Sequence, residues 1–196
     1  MPKKYRSVDR DVHGFCGWDF LQLLISKCVK NEEKLLISTL FETGGRVGEV
    51  LKLRKENFVD KGDFIVVDSM PVEKKRETAY RTFPIPKHEP LAKVMIDGLS
   101  NVKDLLFDFN RVTAFNIVRR VGKRVGDVKI PFSSIKAYEI HPHWFRAMRA
   151  AQLKSEYDFD AFSLASFFGW KLPQFGAIGV YTRLTWEELA RRMVKK

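Results

Sequence analysis

The sequence predicts a mainly α domain carrying one small antiparallel β-sheet, and three observations point there. Apolar residues recur at helical spacing through most of the chain. A β-branched run, Phe64-Ile65-Val66-Val67, follows the tight Lys61-Gly62-Asp63 turn. The 196 residues, 45% hydrophobic and 30% charged, suit one globular core.

The elements follow in order. Residues 1–17 are mostly polar, lack an apolar period and read as an arm or linker, leaving 18–196 as the domain. A helix is predicted from Trp18 through Ile25, and a second from Asn31, its expected N-cap, through Phe41. Thr43-Gly44-Gly45 breaks it, and Val47, Val50, Leu51 and Leu53 restart a helical stripe. The Phe64–Val67 strand comes next, then Thr82–Pro86, which its prolines confine to an edge or an end. Pro71–Tyr80, charged at its centre, reads as an exposed hairpin loop. Further helices are expected over Glu89–Gly98, Val112–Val125, His143–Ser155 and Ala161–Phe168. The last, Trp186–Val194, opens on the capping-box spacing of Thr185 and Glu188.

Charge narrows the function. Lys plus Arg number 35 against 24 Asp plus Glu, a formal net charge of +11, which points to a polyanionic partner, most simply nucleic acid. The excess concentrates in Arg111–Ile130, where Arg111, Arg119, Arg120, Lys123, Arg124 and Lys129 face one acid, Asp127. Arg119 and Lys123, like Arg120 and Arg124, are four apart, so like charges stack on one helix unless a phosphate backbone relieves them. Two cysteines, Cys16 and Cys28, cannot build a disulfide framework or a four-thiolate zinc site. No apolar run approaches the ~18 residues of a membrane span, and the N-terminus lacks a signal peptide's apolar stretch. The expectation is a soluble, cytoplasmic, nucleic-acid-associated domain.

Three clusters could carry chemistry. In Thr43-Gly44-Gly45-Arg46-Val47-Gly48-Glu49, the glycines let an anion approach Arg46, and Glu49 can hold the guanidinium in one orientation. In His143-Trp144-Phe145-Arg146, one helical turn sets a proton-transfer group beside a bidentate phosphate donor. His141 competes for that role, but Pro142 places it before the helix begins. The third cluster is Phe168-Gly169-Trp170 followed by Gly179-Val180-Tyr181-Thr182-Arg183, where Tyr181 is a candidate nucleophile.

In this order the clusters resemble the catalytic domain of the tyrosine recombinases, the phage-integrase and Xer-type family. Its fingerprint is Thr-Gly-x-Arg-x-x-Glu-Leu, His-x-x-Arg, Gly-His/Trp and a late Tyr. The likeness runs from about Trp18 to the C-terminus and implies the tyrosine recombinase catalytic-domain fold. It implies that Arg46 and Arg146 clamp the non-bridging oxygens of a scissile phosphate while Tyr181 attacks, leaving a 3′-phosphotyrosyl link and a free 5′-hydroxyl. His143 would assist proton movement, Trp170 would donate its indole N–H, and Glu49 would orient Arg46 from behind. A lysine on the hairpin loop would protonate the leaving oxygen. Lys74 and Lys75 both qualify, with Lys75 favoured and Arg76 adjoining. No cofactor and no metal are implied, and the sequence offers no carboxylate cluster for one.

The likeness also implies double-stranded DNA as partner and self-association on it as a dimer or tetramer. The Lys74–Arg81 loop, with Lys74, Arg76 and Arg81, and the Arg111–Lys129 segment, with Arg111, Arg119, Arg120, Lys123 and Arg124, are the expected DNA contacts. This chain departs from the family in three ways. Tyr181 follows Trp170 at a longer spacing than is common, Ala147 stands where many relatives have His, and the residues before Trp18 are too few for the usual helical core-binding domain. The chain therefore reads as an excised catalytic fragment or a minimal recombinase. Two other functions fit the same residues: a type IB topoisomerase-like relaxase, and a non-catalytic basic DNA-binding module.

Overall fold

The computed structural model describes residues 12–73, 79–170 and 183–194. Among them are eight α-helices and one three-stranded sheet. Helix α1 spans Trp18–Ser26 and α2 spans Asn31–Thr43, at the centre of the core. Leu36, Ile37, Leu40 and Phe41 of α2 are wholly buried, each such side chain contributing roughly 1.5–3 kcal/mol. Helix α3 is a single turn, Val47–Val50. The strands are β1 (Phe58–Lys61), β2 (Phe64–Val72) and β3 (Ala79–Pro86), antiparallel in the order β1-β2-β3. Helices α4 (Pro90–Ser100), α5 (Arg111–Val125) and α6 (Pro142–Tyr157) pack against α2. Helix α7 (Ala161–Phe168) lies on α6 and β3, and α8 (Trp186–Met193) covers β3 with Leu189, Ala190 and Met193.

Local chemistry sets several of these ends. Asn110 Oδ1 accepts the Thr113 N–H at the start of α5, and Asp160 Oδ1 accepts that of Ser163 at the start of α7. Thr185 and Glu188 exchange the reciprocal bonds of a capping box, as their spacing predicts. Elsewhere the structure corrects the sequence reading. Asn31 is the first residue of α2 rather than its cap, and Glu33 turns back to accept the Val29 and Lys30 N–H groups. The stripe after Arg46 yields only one turn of helix. The hairpin strands run further than expected, because Pro71, Val72, Ala79 and Tyr80 pair across β2 and β3. Strand β1 pairs Val59 with Val66, an element the sequence reading omits. In the segment read as an arm, Val12 bridges to Ser133, Cys16 is buried, and Phe15 packs edge-on to Trp18.

A buried polar network ties α2, α4 and α6 together. Arg149, wholly enclosed, donates to Glu89 at 2.6 Å and Gln152 at 2.9 Å and lies 3.3 Å from Glu42. Tyr157 donates to Glu89 at 2.7 Å. Burial and the Glu89 charge push the Glu42 carboxyl well up, whereas Arg149 and the hydrogen bonds around Glu89 outweigh burial and hold it down. Glu42 is therefore the more readily protonated of the two carboxyls, and Glu89 balances Arg149. Burial also pushes both cysteine thiols up to about 12, so neither supplies a thiolate at neutral pH. No helix among the described residues is long and apolar enough to cross a membrane.

Candidate active site

The site forms where three chain turns meet: the exit of α2, the start of α6 and the exit of α7. At the first, α2 ends on Gly44 with φ +55°, and a Cβ there would collide with the Phe168 ring, so only glycine satisfies both the backbone and the packing. The turn sets Arg46 as the residue before α3, its side chain 38% exposed. Glu49, wholly buried, accepts the Arg46 backbone N–H and its guanidinium, each at 2.9 Å.

At the second turn, His141 precedes α6, as expected, and the helix begins at Pro142, one residue earlier than predicted, which puts His143 and Arg146 one turn apart. Arg146 is buried, with 3% of its side chain exposed. It donates to Gly44 O at 2.6 Å and Phe168 O at 3.1 Å and stacks over the Phe168 and Trp170 rings. Trp170 in turn lies flat on Phe168, centroids 4.7 Å apart.

Arg46, His143, Arg146 and Trp170 all line one cleft of about 760 Å³, completed by residues 12–15 and by the Ala147–Ser155 face of α6. These four motif residues thus share one cleft, and Glu49, which does not line it, bonds Arg46 from the buried side. Lys74, Lys75, Arg76 and Tyr181 lie outside the described residues.

Arg81 departs from expectation. The sequence reading sets it in an exposed DNA-contacting loop, but it sits inside β3 on the same face as Phe83 and Ile85, with 2% of its side chain exposed. It donates to Phe167 O, to Thr43 O at 3.0 Å and to Met70 Sδ at 3.2 Å, and its guanidinium lies over the Phe83 ring. Glu49 Oε2 is 3.8 Å from Arg81 and 3.7 Å from Arg146, so one carboxylate serves three guanidinium groups. The period-2 alternation of Arg81, Phe83 and Ile85 is the signal that could have placed it inward.

The electrostatics follow. Burial raises the Glu49 carboxyl, but the Arg46 N–H, the Arg81 charge, the Glu73 N–H and the Arg146 charge outweigh it and hold the group ionised. Burial pulls Arg146 down to about 10, Glu49 opposing and Arg46 assisting. It pulls Arg81 down to about 9, with Arg146 adding to the effect. Arg146 and Arg81 remain charged at neutral pH, and with Arg46 three guanidinium groups share the single Glu49 carboxylate, an excess of positive charge at the site. An excess of guanidinium charge beside a cleft favours an oxyanion that two donors can hold at once. Among the described residues, no group of three His, Cys, Asp or Glu side chains is arranged to hold a metal ion.

The basic helix α5 divides into two sets. Arg124 donates to Glu33 at 2.7 Å and to Lys27 O at 3.2 Å, Arg120 lies 3.7 Å from Glu33, and Arg111 pairs with Glu73. Arg119 and Lys123 stand on the outward face, Arg119 over the 40%-exposed Phe115 ring.

A model described as the phage integrase family matches residues 19–187. No curated protein matches the chain. Among solved structures, XerA recombinase superposes with a TM-score of 0.57 at 20% identity, covering 93% of this chain and 65% of that one. XerH site-specific recombinase bound to difH substrate gives 0.54 at 18% identity, over 84% and 47%. The Tn1549 transposon integrase in complex with transposon right end DNA gives 0.54 at 14%, over 89% and 62%. These identities establish likeness of fold, and the chain spans less than two thirds of each of these proteins.

Proposed function

The chain belongs to the phage integrase family, with the fold of a tyrosine recombinase catalytic domain, and from that premise we propose that it cleaves and rejoins double-stranded DNA through a 3′-phosphotyrosyl intermediate. The observation that carries the reading is the convergence of Arg46, Arg146, His143 and Trp170 on one cleft, with ionised Glu49 buried behind them.

The chemistry needs charge stabilisation and proton movement. Tyr181 Oη attacks the scissile phosphorus, a P–O bond to tyrosine forms, and the bond from phosphorus to the 5′-oxygen breaks. Arg46 and Arg146 hold the two non-bridging oxygens and meet the charge that builds in the pentacoordinate transition state. Removing one such donor from an active site costs about 10²–10³ in rate. Lys75, or Lys74 beside it, protonates the departing 5′-oxygen, and His143 handles the proton at the nucleophile or the phosphate. Trp170 donates an N–H to the phosphate and stacks on Arg146, fixing the guanidinium plane.

DNA as substrate is supported by the net charge of +11 and by the DNA complexes named for XerH and the Tn1549 integrase. Arg119 and Lys123, on the outward face of α5, are the proposed backbone contacts there. Arg111, Arg120 and Arg124 already face acidic partners and contribute mainly by orienting the helix. Lys74 and Arg76 remain proposed contacts from the hairpin. A nicked suicide duplex incubated with the protein should trap an SDS-stable adduct, absent in Tyr181→Phe. Plasmid relaxation without any recombination site would instead favour the topoisomerase-like outcome. Salt-dependent binding with no adduct would leave a DNA-binding module.

A further inference from the structure

Arg81 lies outside the family fingerprint, yet it is the most enclosed guanidinium at the site. Arg81 and Arg146 form two parallel rungs between the same two chain turns. Arg81 bonds Thr43 O and Phe167 O, and Arg146 bonds the next carbonyl on each side, Gly44 O and Phe168 O. Between the rungs sits Glu49 Oε2, 3.8 Å from one arginine and 3.7 Å from the other. Neither distance is a direct hydrogen bond, for which N···O is about 2.9 Å.

We propose that Arg81 is a positioning residue that stops Glu49 from drawing Arg146 out of the phosphate cleft. A single carboxylate cannot close on one buried guanidinium without leaving the other uncompensated, and an unpaired buried charge is costly. The balance keeps Arg146 about 0.8 Å short of a direct bond to Glu49. Without Arg81 the balance is lost, and Arg146, the remaining buried cation beside Oε2, closes onto it. An arginine neutralised in that way offers less charge to a phosphate. The two carbonyls that Arg81 spans require a forked donor, so lysine can replace its charge but not both bonds. Burial is the main cause of the depressed proton affinity of Arg81, and the Arg146 charge adds to it, in keeping with two cations held close together.

The consequence for rate rests on the strand-transfer reading, whereas the movement of Arg146 does not. The test is therefore a crystal structure and a cleavage assay of Arg81→Met and Arg81→Lys, with DNA affinity measured in parallel. In Arg81→Met the Arg146–Glu49 separation should shorten from 3.7 Å to about 2.9 Å. Adduct formation should fall on the order of 10²-fold with DNA affinity held within about threefold, and Arg81→Lys should recover most of the rate. A duplex whose scissile phosphate is replaced by an uncharged methylphosphonate should narrow the gap between wild type and Arg81→Met. An unchanged 3.7 Å separation in Arg81→Met overturns the proposal whatever the rate. So does a loss of rate that follows melting temperature and is not recovered by lysine. Failure of both variants to fold would make Arg81 purely structural and overturn it equally. If the wild-type protein itself forms no adduct, the strand-transfer reading fails, and the crystallographic distance alone decides the role of Arg81.

Discussion

Glu49→Gln is the sharpest perturbation of the site, because it keeps the shape of the side chain and removes one charge. The wild-type carboxylate accepts two N–H groups at Oε1, from the Arg46 guanidinium and the Glu73 backbone, and the Arg46 backbone N–H at Oε2. Glutamine can keep the oxygen on one side only. Its amide nitrogen would then face donors, with Arg81 and Arg146 both close and both buried. Breaking a buried ion pair by removing one partner costs about 3–5 kcal/mol. At about 2–4 °C per kcal/mol for a domain of this size, the melting temperature should fall by about 6–20 °C. The sign with pH is fixed by the carboxyl being held below its ordinary value. Its contribution is complete above the ordinary carboxylate pKa of about 4.3 and is lost as pH falls through the lower folded value. Urea unfolding of both proteins should therefore show the full gap at pH 7, narrowing in acid below about pH 4. A gap under about 1 kcal/mol at pH 7 would refute the idea that Glu49 balances the three arginines. A gap unchanged from pH 7 into acid would refute its ionised state.

Other outcomes follow from the same geometry. Gly44→Ala combines a left-handed backbone with a collision against Phe168 and should cost about 2–5 kcal/mol in urea unfolding. Arg119→Ala and Lys123→Ala should leave stability within about 0.5 kcal/mol, while each lost phosphate contact lowers the salt slope of DNA binding by about 0.9. Arg124→Ala strips buried Glu33 of its directly bonded cation, leaving the Val29 and Lys30 N–H groups, and should instead cost about 1–3 kcal/mol of stability. Tyr157→Phe removes the donor to Glu89 and should cost about 1.5–3 kcal/mol, measurable by thermal melting.

Local signals explain what was legible beforehand. Helix α7 has the bounds its pattern predicts, because Asp160 caps it and Gly169 ends it in a left-handed turn. The His143–Arg146 turn was readable because Pro142 fixes the first helical residue. Strand β1 was not, since Phe58–Lys61 is short and half-exposed and gains its identity by pairing with β2. The pairing of Arg46 with Glu49 is local and was visible, but the claims of Arg81 and Arg146 on the same carboxylate join β3 and α6 to α3. Nothing in the spacing of those residues encodes that meeting. The charge of α5 was equally plain, whereas its division between Glu33 and the outward face depends on how α5 packs against α2.

Strand transfer of the proposed kind joins Tyr181 covalently to DNA. Mass spectrometry of the protein digested after trapping on a nicked duplex tests it most directly. A nucleotide should be carried through a phosphodiester on Tyr181, in an amount greatly reduced in Arg46→Ala and Arg146→Ala. DNA bound tightly with no covalent peptide, or a nucleotide on any other residue, would contradict it.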